Sequence, residues 1–570
     1  MIMKKICLTL VCFGFFMSQV IAQKITIQQQ GNNITLANPF IAFTFNKTNA
    51  DLTGIAFKNH SNILGKQGRA YLLGPGFSMG ACDFSIVRQT DSLVEIKFIK
   101  VERNHFQYNL HYVLKSTDAG IYCFLEQLHQ AKDSAGNYGQ TRWGLRADES
   151  LFDYHLVRDS IQGSMPPMAD LKNEIQDWTY KLTDSTYYTK YDYADYIEGR
   201  HVHGMAGTKS GLGLFVIQAS HEYLNGGPTK QYQNVHSNPY LICMFNCGHF
   251  LSDTRKGDNI IQDDWRKLNG PFFLYVNDGK SIDEIWKNAK QKANQEMQQW
   301  PYRWMNHPEY PIKRATVKGT LLYNKTPVKK GTHLVLAAPN IDWQAQSKGY
   351  MYYATTQQNG TFTIPHVRSG NYTLYAYGNN VFDEFQQANI EVKNSQVVDL
   401  KTISWQPVAN FKTIWQIGKA DRKTTGFNLS NSKRNYAIFL KIPANLTYVI
   451  GKSNEATDWY YAQTKEGSWD IEFNIPTIQA KTATLNLAIA GYARNPKLTV
   501  VVNDSIVATI KAGNDASVYR SAIAGGYYQL KKINFPSALL QAGKNKIQLQ
   551  LSGVKNGAGV MYDALKLEIE

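Results

Sequence analysis

Beyond residue 22 this 570-residue chain has no apolar run approaching the roughly 18 residues of a membrane-spanning helix. It is also poor in cysteine. Of six, Cys7 and Cys12 fall in the first 22 residues, leaving Cys82, Cys123, Cys243 and Cys247. Four thiols are too few to staple a chain of this size, so a disulfide scaffold is excluded, although a Cys82–Cys123 bridge stays open. No Cys-x-x-Cys spacing occurs, which removes the usual zinc and redox motifs. Acidic residues are short as well: 45 Asp and Glu face 61 Lys and Arg, for a formal net charge of +16. Losing Lys4 and Lys5 with a leader would make it +14 (16 − 2). No lysine or arginine block gathers this charge into a nucleic-acid arm. A dispersed positive balance on an exported protein suits an acidic polysaccharide better.

Export is expected from the N-terminus. Lys4 and Lys5 precede the apolar stretch from Ile6 to Met17, and Val20-Ile21-Ala22 suits cleavage before Gln23. Residues 1–22 are therefore read as a signal peptide, and the destination as secreted or periplasmic, with no membrane span. The length calls for two to four domains. The pattern is overwhelmingly β: Val94-Glu95-Ile96-Lys97-Phe98 and Ile547-Gln548-Leu549-Gln550-Leu551 alternate apolar with polar residues, as half-buried antiparallel strands do. One helix is predicted. Ser281-Ile282-Asp283-Glu284 forms a capping box, Ile285, Trp286, Ala289 and Ala293 follow at helical spacing, and Pro301 ends it. The expected organisation is all-β in three domains: residues 23–303, a linker from Pro301 to Pro311, a small β-sandwich at 312–403, and a jelly roll at 404–570.

Lys190 lies in Tyr187-Tyr188-Thr189-Lys190-Tyr191-Asp192-Tyr193-Ala194-Asp195-Tyr196. A lysine crowded by aromatic rings loses solvation, which lowers its pKa and fits it to act as a base near neutrality. The competing reading is a tyrosine-rich strand whose lysine points to water. Arg142 and Arg146 are four apart, so on a strand they share one face, where a pair of guanidinium groups can grip a carboxylate or pair with Asp148 or Glu149. His249 follows a predicted strand end. Asn225-Gly226-Gly227-Pro228 is a turn, with close approach of a sugar at Gly227 as the alternative. His201 and His203 form a metal pair only if a third ligand exists. Asp192 and Asp195, an odd number apart, would point to opposite faces of an extended segment.

Thr189-Lys190-Tyr191-Asp192, Gly226-Gly227-Pro228 and Asn246-Cys247-Gly248-His249, in that order and with about 60 residues between the lysine and the histidine, resemble the rhamnogalacturonan lyases of polysaccharide lyase family 4. Trp415-Gln416-Ile417-Gly418, Asn495-Pro496-Lys497-Leu498 and Tyr562-Asp563-Ala564-Leu565 resemble the carbohydrate-binding-module-like C-terminal domain of that family. The resemblance covers nearly the whole mature chain. It implies a large galactose-mutarotase-like β-sandwich, a fibronectin-III-like or transthyretin-like β-sandwich, and a jelly roll. It also implies β-elimination at the rhamnose-(1→4)-galacturonate bond of rhamnogalacturonan I, an acidic plant cell-wall polysaccharide. Lys190 would be the base, His249 the acid or an orienting group, and Arg142 the cation on the carboxylate, with Arg146, Tyr191 and Gly227 as further substrate contacts. No cofactor is required, although a structural calcium has room in the C-terminal domain, and a monomer is expected. One departure stands out: tyrosines that family members can carry five and seven residues before the histidine are Met244 and Ile242 here. A pectin-binding protein without activity, or a hydrolase or mutarotase-like enzyme on the same frame, is the alternative.

Overall fold

The structure, a computed structural model, describes residues 24–74, 77–102, 106–246, 257–406, 411–430, 438–476, 481–518, 520, 526–555 and 557–570. The leader read at 1–22 and the candidate His249 lie outside the described residues.

Two nine-stranded sheets build the N-terminal part. Strand Thr141–Arg146 is central to the first, between Arg69–Gly74 and Tyr240–Asn246. In the second, Trp265–Asp278 pairs with Leu212–Ile217 and with Gly120–His129. The core lies between the sheets because each strand turns alternate residues inward. Trp143 is fully buried there, 5.0 Å from the Phe272 ring, and its indole N–H donates to Tyr112 Oη at 2.9 Å. Truncating such a side chain would cost about 3–5 kcal/mol.

The predicted helix spans Ile282–Gln299 and lays Ile285, Trp286, Ala289 and Ala293 against the outer face of the second sheet. Ser281 Oγ accepts from Glu284 N at 3.2 Å, as the capping box requires, while Glu284 Oε2 reaches past it to Lys280 N at 2.9 Å. The stretch after Pro301 differs from a free linker. Tyr302, Met305 and Tyr310 are buried on the same outer face. That cover explains a second difference, since Glu95, at a position where alternation predicts solvent, is buried and holds His111 Nδ1 at 2.9 Å.

Residues 315–405 form two four-stranded sheets around their own core, with Val397–Trp405 parallel to Ala315–Tyr323. Residues 412–569 form two five-stranded sheets around a third core that includes Trp415, Trp459 and Trp469. The parts are tied by buried charge. Glu222 of the first sandwich accepts from Arg368 Nη2 at 2.8 Å and from Arg314 Nη1 at 2.5 Å. Lys267 Nζ donates to Ser347 O at 2.6 Å. Lys230 Nζ donates to Gly526 O, also at 2.6 Å, joining the first part to the third. Cys82 and Cys123 are unpaired thiols, so the bridge left open between them does not form.

Candidate active site

Arg142 and Arg146 leave strand Thr141–Arg146 on its outer face, while Trp143 and Leu145 point into the core. Their register sets Arg142 opposite Leu73 and Met244, Gly144 opposite Tyr71 and Ile242, and Arg146 opposite Arg69 and Tyr240. The glycine is required. A Cβ on Gly144 would come within 2.0 Å of Tyr240 Oη, so only glycine lets that ring cross the sheet between the two arginines. The Arg146 guanidinium stands 5.8 Å from the Tyr240 ring centre. Neither arginine pairs with Asp148, Glu149 or any other carboxylate among the described residues. The structural alternative to carboxylate binding therefore loses its partners.

Lys190 comes to this face from a separate three-stranded sheet, Glu174–Gln176, Thr179–Lys181 and Tyr187–Thr189. It sits in the turn just past the last strand, only 7% exposed, which disposes of a lysine pointing to water. Its Nζ donates to Asp177 Oδ1 at 2.7 Å, and Tyr191 Oη donates to Asp177 Oδ2 at 2.6 Å. Burial lowers the lysine's pKa. Asp177 opposes this, and the positive charges of Arg520 and Arg142 add to it. The net effect is downward, as a general base requires.

The hairpin that carries Asp177 has an unusual tip. Asp177 and Trp178 both have positive φ, at 40° and 59°, the conformation of a two-residue primed turn that glycine normally fills. Holding non-glycine residues there costs on the order of 1 kcal/mol each. The strained tip puts Asp177 on Lys190, and puts the Trp178 ring 4.9 Å from His236. His236 is buried, and its Nδ1–H donates to Ser237 O at 2.8 Å. Burial, reinforced by Lys190, Arg142 and Arg146, takes its pKa down to about 3, so the ring is neutral and, with its proton on Nδ1, keeps a lone pair on Nε2.

Two regions of this chain match the family models "Polysaccharide lyase family 4, domain II" at residues 325–400 and "Polysaccharide lyase family 4, domain III" at residues 413–567. The chain is 32% identical to a rhamnogalacturonate lyase of Dickeya dadantii, over 85% of its own length and 82% of that protein's. The chain belongs to polysaccharide lyase family 4. A second relative, rhamnogalacturonate lyase B of Emericella nidulans, is 23% identical over 98% of this chain and 99% of its own.

In this family member Arg142, Arg146, Lys190 and Tyr191 gather in one place, whereas Gly227 is committed elsewhere. Gly227 has φ +81°, and a Cβ there would meet the Trp343 ring at 2.1 Å, so packing between the first and second domains demands the glycine. His201 and His203 do not form a metal pair. His203 Nε2–H donates to Ile242 O at 2.7 Å and Nδ1 accepts from Arg200 at 2.8 Å, which uses both nitrogens. Asp192 and Asp195 are no carboxylate pair either, because Asp195 is bound to Arg158 Nε at 2.6 Å. Met244 and Ile242 are buried beside Arg200, His203 and Gln218, and a phenol next to the arginines comes from Tyr240, four and two positions upstream of them. Asp177, His236, Tyr240 and Arg520 were not singled out from the sequence. A run of alternating residues across Arg142, Gly144 and Arg146 and its partner strand was the one signal for Tyr240.

One group among the described residues brings three metal-ligand types within 4.8 Å of one another: His111, Glu126 and His307. It belongs to the second sheet and the segment after the helix, not to the Lys190 face. His307 Nδ1 accepts from Glu309 N at 3.1 Å, which leaves the ring's proton on Nε2. An N–H, not a lone pair, then faces Glu126 Oε1 at 3.5 Å, so the group is a hydrogen-bonded cluster and a poor donor set.

Proposed function

We propose that this lyase cleaves the rhamnose-(1→4)-galacturonate bond of rhamnogalacturonan I by β-elimination. The observation that carries the reading is the Arg142 guanidinium, which has no carboxylate partner among the described residues and stands close enough to the buried Lys190 for its charge to act on it. The C5 proton of a uronate is weakly acidic because the ionised carboxylate resists further negative charge. Arg142, with Arg146 beside it, binds that carboxylate and stabilises the charge that develops on it. Neutral Lys190 takes the C5 proton, and the electrons of the C5–H bond become the C4–C5 double bond. The C4–O4 bond breaks, and O4 leaves on rhamnose and gains a proton. The resemblance assigns that proton to His249. His236 is too weakly basic to hold a proton for O4, so its part is to accept a hydrogen bond. The products are an unsaturated galacturonate at one new end and a rhamnose reducing sugar at the other. The leader at 1–22 suits an enzyme that meets this polysaccharide outside the cytoplasm.

Ultraviolet absorbance of the unsaturated uronate tests the reading. Purified protein on rhamnogalacturonan I should generate it, and Lys190→Ala should lose about 10²–10⁴-fold in rate while still binding the glycan. New reducing ends without absorbance would mean hydrolysis, and full activity of Lys190→Ala would remove the base assignment.

A further inference from the structure

Arg146 has a second cation for a neighbour. In the ladder it stands directly opposite Arg69 of strand Arg69–Gly74, and opposite Tyr240 on its other side. Residues directly opposite in an antiparallel pair share a face, with Cβ atoms about 4.5–5.5 Å apart, and like charges placed so repel. Ala70 and Leu72 point into the core, which leaves Arg69 and Tyr71 on the outer face with Arg142 and Arg146. Of the three arginines, only Arg69 has a carboxylate partner among the described residues: its Nη1 donates to Asp51 Oδ2 at 2.9 Å. Arg146 Nε is buried and has no hydrogen-bond partner. Each guanidinium is set near a ring, Arg69 Cζ at 5.3 Å from the centre of Tyr71 and Arg146 Cζ at 5.8 Å from that of Tyr240. The two rings are themselves 6.2 Å apart.

We propose that Arg69 and Tyr71 form a second uronate subsite, in which Arg69 binds the carboxylate of the galacturonate next along the glycan from the one that reacts and Tyr71 meets a sugar ring. This rests on the reading of the chain as a rhamnogalacturonan lyase. In an alternating rhamnose–galacturonate backbone every second sugar is acidic. Four residues of strand, about 13 Å at about 3.3 Å per residue, separate the row of Arg69 and Arg146 from Arg142, which is more than one sugar ring spans. That row is therefore placed for a different carboxylate from the one on Arg142. One carboxylate for three guanidinium groups leaves a positive excess on the face, and a like-charged cross-strand pair turns favourable when an anion lies against it. Arg69 is also ready for such a ligand. Asp51 takes a donor from one edge of its fork and Tyr71 lies close by, so the group is held, while a side chain 56% exposed keeps other N–H groups open.

The test compares full-length wild type with Arg69→Ala on rhamnogalacturonan oligosaccharides that carry several uronates. A contact away from the reacting sugar is made equally in the ground and transition states, so its loss raises KM and spares kcat. Arg69→Ala should raise KM about 10- to 100-fold, as removal of a charge-assisted contact does, with kcat within about twofold. In a Lys190→Ala background the same change should weaken calorimetric binding of the oligosaccharide by a similar factor and leave its carboxyl-methylated form unaffected. Arg69→Lys, which keeps the charge, should recover part of the loss. A KM within twofold of wild type, a fall in kcat that matches the fall in kcat/KM, or equal losses on acid and ester would overturn the proposal. The lyase reading fails on separate evidence, if wild type forms no unsaturated uronate, and the calorimetric comparison still decides the subsite in that case.

Discussion

Asp177→Asn keeps the shape of the side chain and removes its charge, which makes it the sharpest probe of how Lys190 works. Burial is the largest influence on Lys190 and lowers its pKa; the Asp177 carboxylate, 2.7 Å from Nζ, favours the ammonium; Arg520 and Arg142 disfavour it. Removing Asp177 takes away a carboxylate that raises the lysine's pKa, so that pKa must fall further. A base works as the neutral amine, hence the acid limb of the kcat/KM profile should move to lower pH. Unit charges 4 Å apart interact by about 4 kcal/mol at an effective dielectric near 20. The Asp177 side chain is 44% exposed, and solvent screening brings this down to about 1.4 kcal/mol, or roughly tenfold.

On the acid limb, therefore, Asp177→Asn should exceed the wild type about tenfold in kcat/KM at equal pH, and the difference should close on the plateau where Lys190 is neutral in both. Initial rates of absorbance increase across the pH range measure this, with Lys190→Ala as the inactive control. An acid limb that stays in place, or moves to higher pH, would refute the assignment of that limb to Lys190.

The domain interfaces supply two stability tests. Glu222→Ala strands Arg314 and Arg368, both buried, and should destabilise by about 3–5 kcal/mol in urea unfolding. Burial alone would raise the Glu222 pKa, but Arg368 and Arg314 outweigh it and hold it at about 2, so the stability it gives is complete above pH 4.5 and is lost only as pH falls through about 2. Lys267 behaves oppositely: burial lowers its pKa to about 7, the unfolded chain binds the extra proton between pH 7 and 10.5, and stability rises with pH across that window. Wild type should gain about 2.5 kcal/mol on Lys267→Met between pH 6 and pH 9, and a pH-independent difference would show that Lys267 does not titrate in the fold.

The strands and the helix were legible because their causes are local. Alternation and a capping box act within a few residues, and both survive in the structure. The site is legible only in part. Crowding by tyrosines suggested a buried Lys190, and Lys190 is buried, yet most of those rings serve other ends. Tyr193 stacks on His155 at 3.6 Å, Tyr188 hydrogen-bonds the same imidazole at 3.1 Å, and Tyr196 lies 4.4 Å from Lys423 Nζ. Tyr191 stays with the lysine, its ring centre 5.3 Å from Nζ. Asp177 gave no signal because Asp-Trp at a primed turn lacks the glycine by which such turns are recognised. His236 and Tyr240 owe their roles to the crossing of a turn over a sheet face, and Arg520 to docking of a domain whose local sequence says nothing about Lys190.

The cation-rich face poses a problem that its geometry answers. Arg142 does two jobs in an elimination: it binds the uronate carboxylate, and it helps keep Lys190 neutral. These conflict, because an arriving carboxylate cancels the charge that depresses the lysine and favours the ammonium at the moment an amine is needed. A site with one arginine would lose base strength control on binding its own substrate. Here burial is the dominant cause of the depressed pKa and does not depend on Arg142, and closing the cleft around a sugar deepens it. Arg520 adds a second positive charge from another domain, so one carboxylate cannot neutralise both. Asp177 works the other way, which is why its strained turn makes sense. It accepts from Nζ, with Tyr191 locking the same carboxylate, and so fixes where the lysine stands to meet the C5 proton.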